Sequence, residues 1–295
     1  MYHCIINPAA GRGNGLKLVS VISDFMNSHG IEFETNLTQS SQDAIKLAKK
    51  ACASKSQGII GVGGDGTIQE IATGMLEGRD SCDIALGVIS CGSGNDLKRS
   101  FDLKPGLLVS VLNSLLKGNT QTIDAIRANK MVCLNIANIG LDAQIVRNAQ
   151  PLKKIFGRSS YVISALISIL RHKNIPLTIY IDKEYKLQGY YTLAAACNGQ
   201  YYGGGIRIAP KASLADGLIT LCLISPMHPL KTLTLFPLAL IGKHTGLKAV
   251  RYIECRKITI NSEEILCLDG NLYENDHNIN SINFEILPGA IQITS

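Results

Sequence analysis

Residues 61 to 70 read GVGGDGTIQE, four glycines grouped around Asp65. A short apolar run, Gly58 to Val62, precedes them, and the helix-like IQEIATGML follows. Glycines reach backbone conformations closed to other residues and let a ligand approach the main chain, while amides at a helix start attract anions. Gly63, Gly64, Gly66 and Thr67 therefore suit a phosphate. Asp65 beside that phosphate calls for a divalent cation between the two charges, which makes Mg²⁺ the expected companion. The competing reading is a tight strand-to-helix turn in which Asp65 is only a cap.

A second loop, SCGSGNDLKRS at 90 to 100, offers the Ser93 hydroxyl and the Asp96 carboxylate where a helix should begin. Taken alone, Asn95 and Asp96 read as caps, and Ser93 lacks the G-x-S-x-G spacing of a nucleophilic serine. A third loop, NPAAGRGNG at 7 to 15, brings Asn7 to the end of the first strand, where a loop could fold over a nucleotide. The chain has no GxxxxGK[ST], and GRGNG is not spaced as GxGxxG, so Walker and dinucleotide sites are disfavoured.

The elements that must position these loops alternate. YHCIIN reads as a strand, Leu16 to His29 as a helix, IEFETNL as a strand, Ser41 to Ala53 as a helix, and GIIGV and IALGVIS as further strands. That order predicts an open parallel sheet flanked by helices, with ligands outside the strands' carboxyl ends. After residue 120 the texture turns β-rich, through MVCLNIANIG, PLTIYID, YYTLAAAC, LITLCLI and VRYIECRKITIN, with few helices between. Tyr161 to His172 and Leu230 to Lys243 are the helical exceptions. Two domains are expected, an α/β domain over 1–120 and a mostly antiparallel β domain over 121–295.

Composition narrows the class. Of 295 residues 46% are hydrophobic and 18% charged, ample for a packed interior. Nine cysteines, an odd number with no CxxC pair, speak for reduced buried thiols rather than zinc ribbons or a disulfide framework. Six histidines show no HExxH spacing. Apolar runs such as YVISALISIL fall short of the roughly 20 residues a bilayer needs. No export signal is read, so a cytoplasmic protein is expected. The net charge of +6 biases the chain toward anionic partners.

Taken in order, NPAAG, GGDGT, GSGND, NIANIGLDA, YYGGGIRIAPKASLADGLI and LDGN carry a resemblance over nearly the whole chain. The chain resembles the bacterial soluble diacylglycerol kinases, a lipid kinase family that also includes the sphingosine kinases; GGDGT is shared with NAD kinases and is similar to a phosphofructokinase motif. The resemblance implies an NAD kinase-like α/β domain and ATP-dependent phosphorylation of a lipid hydroxyl, most simply diacylglycerol to phosphatidic acid. It implies that Gly63, Gly64, Asp65, Gly66 and Thr67 meet the ATP phosphates and Mg²⁺, that Asn7, Thr38 and Ser93 contact the nucleotide, and that Asp96 joins the metal network. Asp269 would be the general base, and a structural metal would lie at Ser213, Asp216 and the Leu218 carbonyl.

Two departures stand out: Ser93 replaces the family's Thr and keeps its hydroxyl, whereas Asn271 stands where the family usually reads Glu and removes a carboxylate. Weakened Mg²⁺ affinity or an altered base follows from the second, with activity retained but reduced. Expected partners are ATP, a lipid and an anionic membrane surface touched peripherally at its inner face; no nucleic acid is expected, and a homodimer is left open. The alternatives are a kinase of a soluble substrate such as NAD and a homologue that binds without transferring phosphate.

Overall fold

The computed structural model describes residues 1–54, 56–78, 84–101, 108–156, 159–273 and 281–294. The chain divides into two compact units, Met1–Asp124 with Gly289–Ser295, and Ala125–Pro288.

The first unit contains β1 (Tyr2–Ile6), α1 (Ala10–Ser28), β2 (Phe33–Leu37), α2 (Asp43–Ala53), β3 (Gly58–Gly63), α3 (Asp65–Glu77), β4 (Ala85–Ser90), α4 (Asp96–Ser100) and α5 (Leu108–Leu116). Its strands lie in the order β2-β1-β3-β4, every pair parallel. Helices cover the sheet, so β3 is buried along its full length and reads GIIGVG without polar interruption. The core on one side joins Cys4, Ile6, Ile60 and Val62 to Ile22 and Met26 of α1 and Val111 and Leu112 of α5. Because all four strands run the same way, the loops at 7, 38, 64 and 91 leave from one edge.

The chain passes through β5 (Gln121–Ala128) into the second unit. There follow β6 (Met131–Cys133), β7 (Ile136–Gly140), α6 (Leu141–Phe156), α7 (Ser159–Arg171), β8 (Ile175–Ile181), β9 (Tyr185–Tyr191), β10 (Leu193–Cys197) and β11 (Ile219–Ile224). Next come α8 (Pro229–Leu240), β12 (Val250–Cys255), β13 (Lys257–Asn261), β14 (Leu266–Leu268) and β15 (Asn271–Tyr273). A last strand, β16 (Ser281–Thr294), belongs to the second unit up to Pro288 and to the first from Gly289, where Ile293 pairs in parallel with Leu86.

Within the second unit, two antiparallel layers enclose a core. In one, β8 alternates buried Ile175, Leu177, Ile179 and Ile181 with outward residues, the period of a strand covered on one face. In the other, ordered β12-β11-β10-β7-β14-β15, the strands β10 and β11 are buried throughout. Their inner face meets Ile179, Ile258 and Phe284; their outer face meets Ile208, Ala209 and Leu235. The architecture is thus the expected α/β unit followed by a mostly antiparallel β unit.

Two sequence readings need correction. α6 was not expected in the β-rich half; it continues through Pro151, a residue that ordinarily stops a helix. Cys52 is disulfide-bonded, contrary to the reading of uniformly reduced thiols, and Cys82 and His277 lie outside the described residues. An odd cysteine count without CxxC argues against a framework, but one bond needs only two sulfurs that folding brings within reach.

Candidate active site

Three loops of the first unit meet at the sheet's carboxyl edge. The Asn7 side-chain amide donates to Thr67 Oγ1 at 3.0 Å, tying the loop after β1 to the first turn of α3. The Cys91 amide donates to the Gly63 carbonyl at 2.9 Å, tying the loops after β3 and β4. Gly11 has φ +60°, and a Cβ there would lie 2.2 Å from the Cys91 carbonyl oxygen, so only glycine allows this approach. A Cβ on Gly92 would come within 2.5 Å of the Gly64 Cα. Thr38, after β2, donates its amide to the Ile6 carbonyl at 2.9 Å and so stands at the same edge. Ser93 is exposed there.

Asp65 begins α3, yet its carboxylate serves another element. Asp65 Oδ1 accepts from the Leu97 amide at 3.1 Å, and the Asn95 and Asp96 amides also stabilise the carboxylate. Burial outweighs these donors and pushes the Asp65 carboxyl above the ordinary range. Asp96, itself buried, accepts from the Arg99 guanidinium at 2.9 Å. The cap role first weighed against the phosphate reading is not what the carboxylate does: α3 has Gly64 as its N-cap with no side-chain cap bond, and Asp65 holds the start of α4 instead.

The second Asp65 oxygen decides whether magnesium fits. Asp65 Oδ2 and Asp96 Oδ2 lie 2.9 and 3.2 Å from the point that a Gly94 side chain would fill. Two carboxylate oxygens thus border one small space with no side chain in it. Mg²⁺ is commonly bound by one or two carboxylates, completed by water and phosphate oxygens, and the residues fit that mode. Among the described residues no group of three or more His, Cys, Asp or Glu could form an all-protein metal cage.

The second unit builds a separate constellation around Asp269, whose backbone sits at φ +47° between β14 and β15. Asp269 Oδ2 accepts from the Leu134 amide at 2.7 Å, and Oδ1 accepts from the Asn135 and Ile136 amides at 3.0 and 2.9 Å. The Cys133 thiol adds a donor at 3.3 Å. Burial, and then the neighbouring Asp269 charge, push that thiol well up, so it stays protonated. Three amides and the backbone turn fix the carboxylate's direction without any other charged side chain among these contacts. Asn271 follows at the start of β15, paired with Leu268.

Sequence reasoning missed the residues that link Asp269 to its surroundings. The Asn135 side chain donates to the Tyr201 carbonyl, and the Asn198 side chain donates to the Leu134 carbonyl at 2.7 Å. Next to Tyr201, Tyr202 lines an apolar cavity of about 40 Å³ with Leu141, Ile145, Ile169, Leu235 and Phe236. This joins Asp269 to the cavity wall through one asparagine and two adjacent tyrosines. The only sequence signal was that Asn135, Asn198 and both tyrosines fall within or beside the quoted motifs. Ser213 and Asp216 lie on an exposed turn, where Asp216 Oδ1 accepts from the Leu218 amide at 3.0 Å and Ser213 Oγ from the Ala215 amide at 3.4 Å.

Comparison with known proteins agrees with these two units. The family model described as the diacylglycerol kinase catalytic domain matches residues 1–128, and that of the YegS C-terminal NAD kinase beta sandwich-like domain matches residues 135–295. A diacylglycerol kinase of Mycobacterium tuberculosis is 28% identical over 268 residues, covering 87% of this chain and 85% of that protein. An Enterobacter protein named "Probable lipid kinase YegS-like" is 30% identical over 215 residues, covering 72% of this chain and 71% of its own. A crystal structure of a diacylglycerol kinase from Bacillus anthracis superposes with a TM-score of 0.77 at 22% identity, covering 99% of this chain and 96% of that one, a likeness of fold. Matched along both units, the chain belongs to the bacterial lipid kinase family that includes the diacylglycerol kinases.

Proposed function

We propose that the protein is an ATP-dependent lipid kinase that transfers the γ-phosphoryl group to a lipid hydroxyl, with diacylglycerol as acceptor and phosphatidic acid as product. The observation that carries this reading is the meeting of three glycine-bearing loops at one sheet edge, with the Asp65 and Asp96 oxygens beside Gly94. Gly63, Gly64, Gly66 and Thr67 at the start of α3 receive the phosphates, while Asn7, Thr38 and Ser93 border the nucleotide. Asp65 and Asp96 would hold Mg²⁺, which offsets charge on the phosphate oxygens when bound.

Transfer requires a base at the acceptor hydroxyl. Asp269 takes that proton as the hydroxyl oxygen bonds to the γ-phosphorus and the bond to the β-phosphate oxygen breaks, releasing ADP. The amides of Leu134, Asn135 and Ile136 aim the carboxylate, and the Tyr202-lined cavity takes the end of an apolar chain. Ser213, Asp216 and the Leu218 carbonyl offer the oxygen donors a hard cation prefers, which we assign to a structural Mg²⁺. Loss of the Mg²⁺-dependent rise in melting temperature in Asp216→Ala is its test. At the membrane, the positive chain works peripherally on an anionic inner surface.

Incubation with ATP and a total lipid extract, followed by mass spectrometry, tests the reading: phosphatidic acid should accumulate, and a different phosphorylated lipid would replace diacylglycerol as acceptor. Asn271 favours a second reading, in which the protein binds nucleotide and lipid without transfer. Transfer by Asn271→Glu but not by the wild type would select it.

A further inference from the structure

Helix α7 buries Ala165 and Ile169 against Leu141 and Ile145 of α6, yet it also carries apolar residues on its outward face. Ser164 and Ser168 are 0% and 2% exposed, whereas Leu166, Ile167 and Leu170 are 46%, 39% and 56% exposed. Beside the apolar contact with α6 runs a polar one: Ser164 Oγ donates to the Ile145 carbonyl at 2.7 Å, Asn148 donates to Ser168 Oγ at 3.0 Å, and His172 meets Gln144 Oε1 at 3.2 Å. An ordinary surface helix turns its apolar stripe inward. Here the spacing of 166, 167 and 170 gathers three large apolar side chains on one outward face.

Charge accompanies that face. Exposed Arg171 and Lys173 follow directly, and from residue 143 to 181 there is no Asp or Glu but six cations, Arg147, Lys153, Lys154, Arg158, Arg171 and Lys173. This stretch alone equals the formal net charge of +6. A second copy of the chain packed on this face would set Arg171 and Lys173 against like charges, whereas an anionic bilayer offers both an apolar interior and a neutralising surface. α7 has 13 residues, too few to cross a membrane and enough to lie in its plane.

We propose that α7 is the membrane-docking element of the protein: Leu166, Ile167 and Leu170 enter the boundary between headgroups and acyl chains of an anionic bilayer, and Arg171 and Lys173 pair with lipid phosphates. The proposal rests on the lipid-kinase reading for its purpose, but binding can be measured without phosphate transfer. The test is flotation of the purified protein, without ATP, with phosphatidylglycerol-containing vesicles and with pure phosphatidylcholine vesicles. Three proteins are compared, the wild type, Leu166→Gln/Leu170→Gln and Arg171→Gln/Lys173→Gln, with melting temperatures as the check on folding.

The wild type should float with anionic vesicles and much less with neutral ones. Removing two cations should weaken binding roughly 25-fold, about fivefold for each, and the glutamine pair should weaken it at least as much. Turnover of detergent-dispersed diacylglycerol should stay at the wild-type level in both variants. Undiminished flotation of the glutamine pair overturns the proposal, as does equal binding to neutral vesicles. A dimer that these substitutions dissociate while flotation stays constant overturns it in favour of self-association. Vesicle binding lost as expected, in a protein that phosphorylates no lipid, upholds the docking face and overturns the kinase reading.

Discussion

Asp269 and Asp65 are both carboxylates held by main-chain amides, so each carries structural weight beside any chemistry. Truncation of Asp269 to Ala strands three buried amides, at about 1–3 kcal/mol for each unsatisfied group. Asp269→Asn keeps the shape and one acceptor but turns the other oxygen into a donor facing a buried amide. Both variants should lose at least ~100-fold in turnover, the usual scale for a general base, and both should lower the melting temperature, the alanine more, because it strands three amides where the asparagine NH2 opposes only those at one oxygen. Equal activity of Asp269→Asn and the wild type would remove the base from the mechanism.

For Asp65 the sign follows from burial. Its folded pKa is raised, so its contribution to stability is complete below the ordinary carboxylate range and is lost as pH rises through the folded value. Asn at this position does not titrate. The melting temperature of the wild type relative to Asp65→Asn should therefore fall as pH rises from acid to neutral, while the variant loses phosphate transfer. A wild-type advantage that grows with pH would contradict the burial argument.

At the scale of elements, loops that touch through bare backbone are the most exposed to substitution. Gly11→Ala places a methyl group 2.2 Å from the Cys91 carbonyl in a left-handed conformation, a strain of about 1–3 kcal/mol. The loops after β1 and β4 must part, so ATP affinity measured by calorimetry should fall about tenfold or more. The corresponding change at Gly13, where a Cβ meets nothing within 4 Å, should cost less despite its φ of +88°. Equal affinities for the two variants would show that the approach of Gly11 to Cys91 is not needed.

The strands and glycine turns of the first unit were legible because each apolar run ends in a loop with a distinct local signal. α6 was not: Leu141, Ile145 and Ala149 recur every four residues, but Pro151 and the neighbouring strand-like runs masked the pattern. Asn135 and Asn198 were equally hidden. Each acts through a backbone carbonyl 64 or more positions away, Tyr201 for one and Leu134 for the other, and pattern reading has no term for such pairs. The position of Asp65 was readable, its binding of the α4 amides was not, since that depends on how two loops pack.

At the scale of the whole molecule, the first unit takes its last strand from the chain's end. Ile291 and Ile293 of that segment are 3% and 1% exposed, and each contributes about 1.5–3 kcal/mol by burial. Ending the chain at Pro288 should accelerate amide exchange at Leu86 and Val88 while β8 and β13 stay protected. Unchanged exchange along β4 would show that the first unit holds together without its returning strand.

The central claim is that this chain moves a phosphoryl group from ATP to a lipid. Its most direct measurement supplies γ-labelled ATP with diacylglycerol in mixed micelles, NAD in a parallel reaction, and Asp269→Asn beside the wild type. The account predicts label in phosphatidic acid with the wild type, almost none with Asp269→Asn, and none in NADP. Label in NADP and not in lipid, or lipid labelling that Asp269→Asn leaves undiminished, would contradict it.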